Sequence, residues 1–516
     1  MGIITRRHAL GLLAGALPAA QIELPPGIEP DNGSFKGTRE SLREYEIPEW
    51  FRDAKFGIWA HWGPQSAVEA GDWYARNMYM QGSPQYDYHC QTYGHPSKFG
   101  FKDTIPRWKA ERFEPAELMR LYKKAGAKYF MSMGVHHDNF DLWNSKHNRW
   151  NAAAMGPKKD IVGMWRKAAM DEGLKFGVSE HLWITYKWFS TSHGHDKTGP
   201  QAGIPYDGAD PKNFDFYVDS DEVHTKLDWN ESGIPEWWKR HWYLRIKDLV
   251  DNYQPDLLYT DGALPFEEYG LNLIAHLYNA NARRNGGKTQ AVYTSKREQD
   301  SEKGIAVLDV ERGLVNTIWP RPWQTDTCIG NWHYKRGQQY KSAKTVIDLL
   351  VDIVSRNGNL MLNFPLPASG ELDVQEMNVL SGITQWMGVN SEAIYATRPW
   401  KIFGESPATA APAATQSASF NERNRKDLTA DDVRFTTKGG TLYAFVMGWP
   451  EYQAVIRPLA LNTELRVGKI QNVELLGFDG KLQFTQDDSA LKVLVPAQKP
   501  GGDYAFVFKV TGALSA

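Results

Sequence analysis

The chain is short of cysteine, of long apolar runs and of any excess of one charge, and each shortage excludes something. Cys90 and Cys328 are its only two cysteines in 516 residues, so it carries no disulfide framework and no CxxC metal knuckle. Their pairing is left open by a separation that large. Lys and Arg number 59 against 61 Asp and Glu, a formal net charge of −2. That balance argues against a nucleic-acid partner, which would need clustered excess Lys and Arg. No segment reaches the roughly twenty consecutive apolar residues of a membrane span, so no membrane partner is expected. No HExxH occurs to supply a zinc pair, and no internal repeat is visible.

Tryptophan, by contrast, is abundant, with twenty residues in a chain that is otherwise 42% apolar and 23% charged. The composition is globular, and the length implies two or three domains. Most of these indoles are expected in cores, but flat Trp faces also suit the apolar faces of sugar rings. At the N-terminus, Arg6-Arg7 precedes an apolar stretch that ends in small residues near Ala20. About ten apolar residues cannot span a bilayer. A twin-arginine pair ahead of such a run reads as a Tat-type export signal over residues 1–20, which implies a periplasmic or extracellular mature protein.

Between about residues 50 and 365, apolar β-runs alternate with stretches of helical spacing. Candidate strands are 56–61, 129–136, 175–181, 257–261, 291–295, 306–310 and 360–364. Leu118, Leu121, Tyr122 and Ala125 line one helical face, and Trp242, Ile246 and Leu249 another. Such alternation marks parallel βα units. His61, His136, His137, His181, Asp261 and Glu311 all fall at strand C-terminal ends, where barrel active sites are assembled. This favours a (β/α)₈-type barrel over an open sheet, although only seven strands can be counted. Residues 183–235 form a long polar insert of the kind that shapes a pocket. A helix with Val379, Ile383 and Trp386 leads to a Pro/Ala/Ser/Thr-rich linker at 405–419, and short alternating strands follow. The expected organisation is a barrel over 21–400 and an antiparallel β-sandwich over 401–516.

The strongest chemical motif is Pro255-Asp256-Leu257-Leu258-Tyr259-Thr260-Asp261-Gly262. An Asp before Gly is ordinarily a turn former. Here an apolar strand delivers it to a barrel rim, as a retaining glycosidase requires of its carboxylate nucleophile. His61, His136 and His137, each near Trp or Phe, suggest a polar pocket with hydrophobic walls.

The stretches FGIWAHWG, AKYFMSMGVHHDNFDLW, DLLYTDG, SRNGNLMLN and NSEAIYATRPW, in this order and spacing, resemble the α-L-fucosidases of glycoside hydrolase family 29. The resemblance runs from about residue 45 to 400, with a weaker match beyond. It implies a retaining, exo-acting enzyme that uses no metal or cofactor and binds fucose at the C-terminal face of its barrel. It puts Asp261 at the nucleophile position and His61, His136 and His137 at sugar-binding positions, with Trp73 following. The family usually has Glu before that Trp where this chain has Asp72. Many relatives are Tyr-rich where this chain has His181, a departure that bears on the choice between fucose and L-galactose.

The general acid/base is to be sought among Asp309, Glu311 and Asp326. Glu311 is preferred because it lies just past an apolar strand and before a Gly-containing loop, where partial desolvation can raise its pKa. Trp323, in the same segment as Asp326, is expected to line the sugar pocket. Three other readings compete. One is an α-L-galactosidase on the same scaffold, and another is a carbohydrate-binding protein without catalysis, which the carboxylates disfavour. The third is a metal-dependent hydrolase using His136, His137, Asp138 and His181. Against the third, adjacent residues of one strand point to opposite faces, so His136 and His137 are not expected to share an ion.

Overall fold

The computed structural model describes residues 28 and 31–514, apart from 219, 221, 303, 408–418 and 426. The proposed export signal lies outside the described residues. Eight parallel strands close into a barrel in sequence order: β1 (Phe56–Ala60), β2 (Tyr129–Val135), β3 (Lys175–Glu180), β4 (Leu257–Thr260), β5 (Val292–Ser295), β6 (Val307–Glu311), β7 (Trp323–Cys328) and β8 (Gly358–Asn363). The last strand pairs with the first through Phe56–Leu360 to Trp59–Asn363. Buried on both faces, these strands read as near-continuous apolar runs, which is why seven are legible in the sequence.

The eighth, β7, escaped because Trp323-Gln324-Thr325-Asp326-Thr327-Cys328 is mostly polar. Gln324 and Asp326 are paired inside the barrel. Gln324 on β7 accepts from the Tyr129 hydroxyl of β2 at 2.9 Å and donates to Asp309 of β6 at 2.8 Å. Because β2 and β7 are not neighbours, this bond crosses the interior and forms one of its layers. Above it, the Trp59 and Tyr259 rings of β1 and β4 meet at 4.9 Å. Pairing of small against large keeps the layers close: a Cβ on Gly57 would sit 2.3 Å from the Tyr129 ring.

The surrounding helices follow the expected spacing. In the helix Pro115–Lys124, Leu118 and Tyr122 are buried and Leu121 is partly so; in Glu236–Tyr253, Trp242, Ile246 and Leu249 are fully buried. The helix Val374–Asn390 starts at Asp373 with a reciprocal capping box to Glu376. It packs the barrel against the C-terminal sheets, with Trp386 donating to the Ala505 carbonyl at 2.7 Å.

Those sheets are antiparallel, one of five strands and one of three. Their facing sides share a core in which Phe435, Leu442 and Ala444 of the larger sheet meet Ile456, Leu491 and Val493 of the smaller. The larger sheet begins with β9 (Arg398–Glu405), whose antiparallel neighbour is β10 (Val433–Lys438). A buried Asp352, on the helix Ala343–Ser355, joins barrel to sheet through Arg356, Arg425 and Arg434. Cys90 and Cys328 are both free thiols.

Candidate active site

Seven strands deliver a chemical group to one end of the barrel. His61, His181, Asp261 and Lys296 each follow the last residue of β1, β3, β4 and β5, and His136-His137 follow β2. Glu311 closes β6, while Asp326 lies within β7 and Trp332 in the loop after it. Together they line a cavity of about 370 Å³ with Asp72, Trp73 and the half-exposed Trp229. The turn after Asp261 needs Gly262, whose φ of +129° suits glycine and whose missing Cβ leaves room for the Trp183 ring. The Trp183 indole then donates to the Asp261 carbonyl at 2.6 Å, locking the strand end.

Lys296 organises the charges. Its Nζ lies 2.7 Å from Asp261 Oδ1, 2.5 Å from Glu311 Oε2 and 4.0 Å from Asp326 Oδ2. On the other side of Asp261, Oδ2 faces His181 Nδ1 at 3.3 Å and His137 Nε2 at 3.4 Å. The Tyr259 hydroxyl donates to Asp326 at 3.0 Å.

The same burial acts differently on the two carboxyls. It works to raise Asp261, but Lys296, His181 and His137 overcome it and hold the group well below the usual carboxylate range. In Glu311, burial wins against Lys296 with help from the negative Asp326 and Asp261, and the carboxyl is pushed up to about 7. One carboxyl is therefore ionised near neutrality while its neighbour still holds its proton in a large fraction of molecules, the division of labour that acid–nucleophile pairs need. Asp309 is also raised by burial and by Asp326, but it lies beneath the cavity, bonded to Gln324, and does not line it.

The imidazoles form a buried cluster. His136 lies 5.2 Å from His61, 4.5 Å from His137, 4.7 Å from His181 and 4.8 Å from His333, ring centre to ring centre. Burial and mutual repulsion depress His61 and His136, and burial brings His181 down to about 4. Such rings are neutral near pH 7, each offering one N–H donor and one acceptor, as a sugar diol requires. His136 and His137 both face the cavity because β2 ends at Val135, so the alternation expected to separate them does not reach them. Two trios, His61–His136–His333 and His136–His137–His181, bring their ring nitrogens within 4.8 Å of one another and have the composition of metal ligands.

One assignment is corrected. Trp323 opens β7 at the opposite end of the barrel, where its ring covers Gly358 and its indole donates to the Arg356 carbonyl at 2.9 Å; it does not line the cavity. Trp332 occupies the wall instead, 5.1 Å from His61. Sequence reasoning also missed Lys296 and His333. His333 Nδ1 lies 2.7 Å from Asp72 Oδ1, so the shorter acid before Trp73 is met by an imidazole.

A profile of the α-L-fucosidase family matches residues 26–392, and one of the α-L-fucosidase C-terminal domain matches residues 425–511. The chain belongs to the α-L-fucosidase family. It is accordingly an α-L-fucosidase, a glycoside hydrolase, and relatives support this along nearly its whole length. Tissue α-L-fucosidase of Bos taurus is 26% identical over 524 residues, 97% of each chain. That of Homo sapiens is 26% identical over 488 residues, 92% of this chain and 91% of the relative. The crystal structure of the Thermotoga maritima α-fucosidase superposes with a TM-score of 0.70 at 26% identity, covering 92% of this fucosidase and all of that chain. A Thermotoga maritima α-L-fucosynthase in complex with α-L-Fuc-(1-2)-β-L-Fuc-N3 does so with a TM-score of 0.70 at 25% identity, covering 93% and 100%.

Proposed function

We propose that this fucosidase is retaining and exo-acting, releasing terminal L-fucose from oligosaccharides or glycoconjugates by double displacement. The observation that carries the reading is the ammonium shared by Asp261 and Glu311. Two oxygens this close to one nitrogen lie no more than about 5 Å apart, the spacing of retaining enzymes; inverting ones need roughly 6.5–9.5 Å to admit a water.

In the first step Asp261 attacks the anomeric carbon. The bond to the leaving group breaks as Glu311 gives its proton to the glycosidic oxygen. Negative charge thereby passes from Asp261 to Glu311, and Lys296, lying between them, keeps an anionic partner throughout. In the second step ionised Glu311 takes a proton from water, the water attacks, and the ester to Asp261 breaks. The neutral imidazoles hold hydroxyls while Trp59 and Trp332 supply apolar walls.

Two measurements test the reading. Proton NMR of the first-formed sugar should show α-L-fucose ahead of mutarotation, and β-L-fucose appearing first would overturn retention. A 2-deoxy-2-fluoro-fucosyl fluoride should leave one sugar adduct on the peptide carrying Asp261.

We further infer export, on the twin arginines before a short apolar run. Replacing Arg6-Arg7 by Lys-Lys should retain the enzyme in the cytoplasm of a Tat-competent bacterium; undiminished export of that variant would sink the Tat reading.

A further inference from the structure

Part of the cavity rim beside Glu311 is not built by the barrel. β9 and β10 are antiparallel neighbours, a connection that two to five residues commonly make. The chain uses residues 406–432 instead, and within this excursion residues 420–422 lie on the barrel mouth. The Phe420 N–H donates to the Glu311 carbonyl at 2.8 Å, and the Glu422 N–H to the Arg312 carbonyl at 3.0 Å. The Asn421 side chain both accepts from and donates to the Leu314 backbone, at 3.0 Å each way. The Glu422 side chain is largely covered, lying between Arg312 at 3.3 Å and Lys341 at 3.1 Å, and accepts from the Thr327 hydroxyl at 2.8 Å.

This anchoring serves a side chain that contributes little to any core. Phe420 is 52% exposed, lines the cavity, and holds a left-handed φ of +60° that ordinary residues avoid. An exposed aromatic in an unfavourable backbone conformation, fixed by its own N–H and by the two residues after it, fits a functional site better than packing. Its place follows from the chemistry. The group that donates a proton to the departing oxygen must stand beside the leaving group, so a ring fixed to the Glu311 backbone borders the space that the leaving group occupies.

We propose that Phe420 is the platform of the leaving-group subsite, and that this subsite takes a sugar whose apolar ring face rests on the phenyl ring. The inference rests on the fucosidase reading and adds to it the class of aglycone. Arg312, packed 4.8 Å over Trp332 and ion-paired to Glu422, ties the platform to the wall of the fucose pocket. The two subsites are therefore held as one surface.

The test compares two substrates that need the same acid help but differ in aglycone: a fucosyl-galactose disaccharide and methyl α-L-fucoside. For Phe420→Ala, kcat/KM on the disaccharide should fall about tenfold or more relative to that on the methyl fucoside, mainly through KM. Phe420→Tyr, which keeps the ring, should restore most of that ratio. An equal loss on both substrates would mean that Phe420 acts only by positioning Glu311, and an unchanged ratio would mean that the ring touches no aglycone; either overturns the inference. Failure of the wild type to turn over either fucoside would instead overturn the fucosidase reading, and this inference with it.

Discussion

Lys296 places its ammonium 2.5 Å from Glu311, yet the Glu311 carboxyl stays high, at about 7. Burial and the negative Asp326 and Asp261 outweigh the cation. Since Glu311 must be protonated to act as acid, kcat/KM on a sugar fucoside should fall as pH rises through about 7. Since Asp261 must be ionised and sits well below the usual range, the acid limb should lie at unusually low pH. Lys296→Met removes the influence that lowers both groups, so both limbs should move to higher pH. A profile whose limbs stay in place would show that Lys296 does not tune the pair.

Asp261→Gly should fold and lose several powers of ten in turnover, each tenfold being about 1.4 kcal/mol of barrier. With the carboxylate gone, azide can attack an activated fucoside directly from the opposite face. A single inversion gives β-L-fucosyl azide. Wild-type-like activity in a verified variant would rule out Asp261 as nucleophile.

Glu311→Ala should nearly abolish hydrolysis of a fucosyl-sugar while sparing the first step on an activated aryl fucoside, whose leaving group needs no proton. Added azide should release the fucosyl-enzyme as α-L-fucosyl azide, because two inversions restore the starting configuration. Asp326→Asn and Asp309→Asn should show no such rescue. Rescue of Asp326→Asn alone would transfer the acid role to β7.

At the barrel–sheet junction, burial works to raise Asp352, but Arg356, Arg434 and Arg425 together hold it far below the usual carboxylate range. Removing the anion leaves guanidinium groups without their partner, and breaking a buried pair costs about 3–5 kcal/mol. Asp352→Ala should therefore lower stability by about that amount at pH 7, read from urea melts. A depressed folded pKa contributes stability above the unfolded value near 4 and loses it as pH falls further, so the gap to wild type should narrow below about pH 4. A gap constant with pH would assign the loss to packing rather than charge.

What was legible in the sequence followed from burial on both faces of a strand. FGIWA, YFMSMGV and LLYT announce themselves because they are mostly apolar along their length, and the carboxylate or imidazole at each end then marks the rim. β7 was illegible because Gln324 satisfies Tyr129 and Asp309 across the interior, so its polarity looks like that of a loop. The same gap misplaced Trp323: without the strand's direction, its two ends cannot be told apart. Lys296 follows Thr294-Ser295 in no motif, and only the closure of the barrel brings it between two carboxyls. Phe420 was hidden differently, at the end of a stretch whose composition reads as a tether.

That tether bears on how such chains can be recombined. On the proposed assignment the barrel carries the nucleophile, the proton donor and the fucose pocket, but part of the rim beside Glu311 is encoded beyond it, between two strands of the C-terminal sheet. Grafting another sheet domain onto this barrel would exchange a wall of the reaction chamber along with the scaffold. The two halves of the protein are therefore not independent cassettes, and an accessory domain's substitution history is also a history of what the catalyst can be offered.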